Sequence, residues 1–188
     1  SESRDPEEVR ELLSRYFATC RRLIGLYGGT VEKFIGDAVM AVWGTPTATE
    51  DDAERAVRGA LDLVAAVSAL GDELGVDSLR ARAAVLTGEA AVTIGAEGEG
   101  MVAGDLVNTA SRIQALAEPG TVFVGEATRR STDQTIVYAD AGSHELKRDG
   151  APAIWPGPLR VHPRASSRVS NGGGAGAEAP PEPPPADR

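Results

Sequence analysis

VEKFIGDAVMAVW, running from Val31 to Trp43, is the stretch whose reading decides the fold. Two apolar runs meet at Gly36-Asp37, so the pattern predicts a β-hairpin with a carboxylate at its tip. Lys33 stands four residues before that carboxylate, a strand distance of about 13 Å.

Upstream, Asp5-Pro6-Glu7-Glu8 predicts a helix start: Asp5 as cap, Pro6 at the first helical position, Glu8 completing a capping box. Val9, Leu12, Leu13, Tyr16, Phe17, Cys20, Leu23, Ile24 and Tyr27 follow at helical spacing until Gly28-Gly29 ends the run. Downstream, Thr49 is expected to cap a second helix with the apolar stripe Ala53, Ala56, Val57, Ala60, Leu61, Val64 and Val67. Leu79–Thr87 and Ala91–Ile94 read as strands, Leu106–Leu116 as a short helix, Thr121–Val124 as a strand and Ala127–Arg130 as a helical turn. Ile136–Tyr138 and His144–Lys147 read as a closing pair of strands, and beyond Lys147 the pattern fades. This order is an α+β pattern, with helices covering one face of a mostly antiparallel sheet.

The bulk numbers fit one domain and a tail. Of 188 residues 41% are hydrophobic, enough for a core. Acids outnumber bases 28 to 19, and a net charge of −9 argues against non-specific nucleic-acid binding while leaving room for a nucleotide held by a few local cations. The single cysteine, Cys20, permits no internal disulfide and makes a reducing, cytoplasmic setting the simplest expectation. No apolar run is long enough for a membrane span, and no signal segment opens the chain. The start at Ser1 is expected to reflect either a removed initiator Met or a cut from a longer chain. Residues 1–164 are expected to form the domain, and 165–188, rich in Gly and Pro, a disordered tail.

A second segment sharpens this. GDLVNTASRIQALAEPGTVFV, from Gly104 to Val124, places Asn108 and Arg112 one helical turn apart. With the hairpin, it resembles the catalytic domain of class III nucleotidyl cyclases, the adenylate and guanylate cyclases. The resemblance covers roughly Asp5 to Lys147. It implies a ferredoxin-like palm, here without the family's opening strand and without the Asp-x-x-Gly-[Phe/Ser]-Thr loop that carries a first metal-binding Asp. It also implies the reaction: cyclisation of a nucleoside triphosphate by attack of the ribose 3′-hydroxyl on the α-phosphate, with pyrophosphate leaving. Two divalent ions, Mg²⁺ or Mn²⁺, assist, typically about 4 Å apart.

The site residues follow from the resemblance, position by position. Asp37 matches the family's second metal Asp; an isolated Gly-Asp is an ordinary turn, but within VEKFIGDAVMAVWG the metal reading prevails. Lys33 matches the base-selecting lysine, against the alternative of a solvated strand residue. Asn108 matches the ribose-positioning residue and Arg112 the cation that neutralises charge building on the α-phosphate. The other base-selecting position falls at Met101, which offers no oxygen acceptor to the adenine amino group, so Lys33 points to ATP while Met101 leaves ATP against GTP open. Lys147, in HELKRDG, matches the late lysine that reaches the triphosphate, with a plain surface role equally open. Cys20 is expected in the core.

Because the family divides Asp37 and the Asn108–Arg112 pair between two subunits, a homodimer, or a heterodimer with another cyclase domain, is implied. Only one motif carboxylate is present for two ions. The readings left open are a cyclase, a catalytically silent module that binds nucleotide or pairs with an intact cyclase, and a fragment that folds poorly. The Gly-Gly-[Asp/Glu]-[Asp/Glu]-Phe hairpin of diguanylate cyclases is absent.

Overall fold

The computed structural model describes residues 5–94, 100–140, 144–148, 151–155 and 159–161. The expected tail at 165–188 lies outside them.

Helix α1, Pro6–Leu26, starts as its sequence dictates: Asp5 accepts the Glu7 N–H at 2.9 Å and Pro6 takes the first position. Gly28, at φ 74°, turns the chain out of the helix. β1, Thr30–Ile35, and β2, Ala38–Val42, then pair antiparallel around the Gly36-Asp37 turn, with a register shift between Val31 and Lys33.

Helix α2, Asp52–Glu73, begins later than Thr49. Asp51 precedes it, and Thr49 instead donates its N–H to Asp52 and its hydroxyl to Asp51. The two acids therefore organise the approach to the helix. Gly59 lets α2 come close to the end of α1: a Cβ there would lie 3.2 Å from the Tyr27 side chain.

β3 is Ala83–Val85, shorter than the expected Leu79–Thr87. The arginines before it are drawn off the strand path: Arg80 bonds Leu79 O and Asp72, and Arg82 reaches the carbonyls of Ala115 and Ala117. β4, Ala91–Ile94, and β5, Gly100–Ala103, form a second antiparallel pair. Helix α3, Asp105–Leu116, β6, Val122–Val124, and α4, Glu126–Thr132, follow near their expected places.

The closing strands differ from expectation. β7 is Tyr138–Asp140 and β8 is His144–Arg148, but they do not pair with each other. β8 pairs with β9, Ala151–Trp155, and β7 with β10, Leu159–Val161, both partners lying past Lys147 where the sequence pattern fades. β10 has only three residues, too few for a period to show.

The fold is α+β. A four-stranded sheet runs β3-β6-β10-β7, parallel at β3–β6 and antiparallel elsewhere, beside the separate β1–β2 hairpin. β6 shows why the core holds: Val122 and Val124 face α2 with Val57 and Val64, whereas Phe123 faces α3 with Ile113 and Ala117. A further cluster, Cys20, Leu23, Ile24, Leu63 and Val67, joins α1 and α2 and carries the hairpin on Val31, Phe34, Val39, Ala41 and Trp43. Cys20 is fully buried, as its helix face predicts.

Candidate active site

The hairpin presents its carboxylate by alternation. Phe34 turns toward α1, where its ring lies 4.5 Å from that of Phe17 and 4.6 Å below the Arg21 guanidinium. Lys33 and Ile35, its neighbours, are therefore exposed on the other face. Asp37 is exposed at the tip; Gly36 before it has φ 62°, which glycine adopts without strain. The Asp37 charge reaches α1. Tyr16 is pushed well above the ordinary phenol range, first by burial, then by Cys20 beside it and by Asp37.

The base of the hairpin is tied down by groups the sequence reading did not single out. Trp43 Nε1 donates to Tyr27 O at 2.9 Å, and Arg55 Nη1 to the same oxygen at 3.1 Å. Arg55 also pairs with Asp52 at 2.5 Å. The Tyr27 hydroxyl donates to Asp62, which together with burial pushes it up to about 12. The signal in the sequence was Arg55 three and four residues after Asp52 and Asp51.

The second group of residues stands on α3. Gly104 precedes the helix, and Asn108 and Arg112 are both exposed on it. Ile113 and Ala117, on the opposing side, are buried against Phe123 and fix the roll of the helix. α3 has no basic residue in its last turn; Arg82 supplies that charge from outside through the carbonyls of Ala115 and Ala117 at 3.4 and 3.3 Å.

β5 links the two groups. Its Cα atoms come within 8 Å of both β1 and α3, so the strand carrying Met101 lies beside the strand carrying Lys33. The two expected base-selecting positions thus sit on neighbouring strands of one chain. Lys147 lies on β8, opposite Pro152 of β9, in a hairpin separate from these elements.

Asp37 is a hard oxygen donor suited to Mg²⁺ or Mn²⁺. Among the described residues no three of His, Cys, Asp and Glu converge as a metal site. One carboxylate fits one divalent ion shared with substrate phosphates; it does not fit two ions held by protein alone. Two open depressions lie along α1, of about 460 and 410 Å³, and neither is lined by Lys33, Asp37, Asn108 or Arg112.

The model of the adenylate and guanylate cyclase catalytic domain matches residues 1–157. Adenylate cyclase 1 of Rhizobium meliloti is 36% identical over 122 residues, 62% of this chain and 18% of that protein. An uncharacterised protein of Mycobacterium tuberculosis is 33% identical over 160 residues, 85% of this chain and 37% of that protein. Among solved structures, the adenylyl cyclase CyaB from P. aeruginosa superposes with TM-score 0.73 at 25% identity, covering 85% of each chain. The guanylyl cyclase Cya2 gives 0.69 at 26%, covering 85% of this chain and 81% of that one. The chain spans 15%, 18% and 25% of the length of three Rhizobium meliloti relatives, adenylate cyclase 1 among them.

Proposed function

The chain belongs to the adenylate and guanylate cyclase catalytic domain family, and from that premise we propose that it supplies half-sites for cyclising a nucleoside triphosphate, ATP first, in a dimer. The observation that carries this reading is the exposed Asp37 at the hairpin tip, with Lys33 on the outer face of β1 and the Met101 strand beside it.

In this reading Lys33 donates to a ring nitrogen of the base, and Met101 offers no oxygen acceptor to its amino group. Asp37 holds one divalent ion jointly with the triphosphate; a bound ion supplies positive charge to phosphate oxygens. Asn108 of a second subunit orients the ribose. Arg112 beside it offers a fixed fork to the α-phosphate as the 3′-oxygen bonds to phosphorus, the bond to pyrophosphate breaks and the 3′-hydroxyl proton passes to solvent water. Lys147 steadies the triphosphate. The partner is a second copy or another cyclase domain, and the setting is the cytoplasm. The cyclase domain in this reading is residues 1–164.

The division between subunits is supported by the placement of Asp37 and the Asn108–Arg112 pair on separate exposed elements. Named relatives include both adenylate and guanylate cyclases, so base choice rests on Lys33. The experiment is product formation from ATP and from GTP with Mn²⁺, run beside Asp37→Ala. Cyclic product lost in the variant supports the reading; product unchanged in the variant overturns it.

A second reading is favoured by the single carboxylate: a catalytically silent module that binds nucleotide and pairs with an intact cyclase. Nucleotide binding without product, together with altered turnover of an added cyclase domain, would select it.

A further inference from the structure

Arg82 holds the far end of α3, but the first turn of that helix has little of its own to hold it. Gly104 precedes it and, among the described residues, no side chain caps it. Its opening backbone bonds are long: Val107 N–H reaches Gly104 O at 3.2 Å, and Asn108 N–H the same oxygen at 3.5 Å. Asn108 therefore stands in a turn whose place is set by packing.

The packing comes from the chain leaving β3, where side chains keep alternating past the end of the strand. Ala83 and Val85 face α2. Ala84 and Leu86 pack under the body of α3 with Ile113 and Ala117. Gly88, next on that side, lies under the start of α3. A Cβ there would stand 3.2 Å from Leu106 Cδ1, and the three nearest atoms all belong to Leu106. Gly88 is outside the left-handed region, so the contact uses its missing side chain and not its backbone freedom. Leu106 comes two residues before Asn108 and is half-buried.

Gly88 is in turn fixed from the opposite side. Thr128 of α4 is fully buried, and its hydroxyl donates to Val85 O at 3.1 Å. With that proton used, the 3.0 Å bond between the Thr87 and Thr128 hydroxyls has Thr87 as its donor. Contacts thus run without a gap from α4 through Thr128, Thr87 and Gly88 to Leu106.

We propose, on the footing of the cyclase reading above, that Gly88 and Leu106, with Thr128 behind them, are positioning residues for Asn108. They set how far the first turn of α3 stands from the chain beneath it, and so where Asn108 meets the ribose. Base and metal are held by Lys33 and Asp37 of the other subunit, so a displaced turn is felt in turnover and not in binding. A misplacement of about 1 Å is enough to slow a reaction about a hundredfold.

The test exchanges volume across the contact: Gly88→Val adds the carbons that Leu106→Ala removes. Steady-state rates with ATP and Mn²⁺, and amide hydrogen exchange without nucleotide, are measured for each variant and for the double variant. Gly88→Val is expected to lower kcat about tenfold or more with KM within about threefold, and to speed exchange at Val107 and Asn108 about tenfold. Thr128→Val, which removes the hydroxyl behind Thr87, is expected to move both readouts the same way. The double variant is expected to bring both back to within about threefold of the unmodified chain. Val161→Ala truncates the core at β10 and is expected to lower stability while leaving kcat and these amides unchanged. The proposal is overturned if Gly88→Val leaves the amides unchanged, if Thr128→Val moves neither readout, or if the double variant recovers nothing. It is overturned too if Val161→Ala lowers kcat as much as Gly88→Val. No product from the unmodified chain overturns it together with the cyclase reading, and the amide response tells that result apart from failure of the contact itself.

Discussion

Phe34→Ala should loosen the hairpin that carries Asp37 by an amount the structure allows to be worked out. A fully buried Phe→Ala change costs about 3–5 kcal/mol. Phe34 is only half-buried, which brings that contribution to about 2 kcal/mol. The Phe17 ring at 4.5 Å adds about 0.5–1.5 kcal/mol, and the Arg21 guanidinium at 4.6 Å about 0.5 kcal/mol at this exposure. The sum is about 3–4 kcal/mol, or a fall in Tm of about 6–16 °C for a domain of this size. Arg21→Met removes the cation alone and should cost about 0.5 kcal/mol. Urea unfolding of the two single variants and the double variant measures the total and the Arg21–Phe34 coupling. A loss below about 1 kcal/mol for Phe34→Ala would refute the claim that this ring anchors the hairpin. So would an Arg21→Met cost equal to it.

Other expectations follow from the same contacts. Tyr27 has its pKa raised from 10.0 to about 12 by Asp62 and by burial, so the unfolded chain loses its phenol proton first. The contribution of Tyr27 to stability should therefore fall as pH rises from about 10 to about 12 and level off above. Tyr27→Phe should shallow the overall fall without abolishing it, because burial pushes Tyr16 and Tyr138 the same way, as denaturant unfolding across that range will show. Gly29→Ala would set a Cβ 2.5 Å from the Trp43 indole, and should lower stability by about 1–3 kcal/mol in thermal unfolding. If two copies share each site, a mixture of Asp37→Ala and Arg112→Ala chains should recover up to about a quarter of unmodified activity. Half of random pairs are mixed, and each has one intact site of two. Activity no higher than in the separate variants would count against sharing.

Much of this architecture was legible because local chemistry and tertiary packing agree. Asp5-Pro6 set the start of α1, Gly28 its end, and the meeting of two apolar runs at Gly36-Asp37 the hairpin. What misled was information that resides in the neighbour. LRARAAVLT has strand character over nine positions, but only Ala83–Val85 find a partner, while Arg80 and Arg82 bond elsewhere. His144–Lys147 reads correctly as a strand, yet its partner Ala151–Trp155 contains a proline, Pro152, and is too short for its alternation to be recognised. At the site, Lys33, Asp37, Asn108 and Arg112 could be placed on their elements from sequence, whereas the strand that carries Met101 was not foreseen. Phe17 and Tyr27 also fall on the first helix by their spacing, but the work that they do with Arg21 and Arg55 in holding the hairpin was not legible, since these groups act across α1 and α2.

The central claim, that Asp37 holds a divalent ion together with a nucleoside triphosphate, is tested most directly by titrating Mn²⁺ into the chain with ATP present. Bound metal is followed by electron paramagnetic resonance in the unmodified protein and in Asp37→Ala. The account predicts ATP-dependent Mn²⁺ binding that disappears in the variant while its unfolding free energy stays within about 0.5 kcal/mol, as befits an exposed turn residue. Equal Mn²⁺ binding by both chains, or none by either, would contradict it.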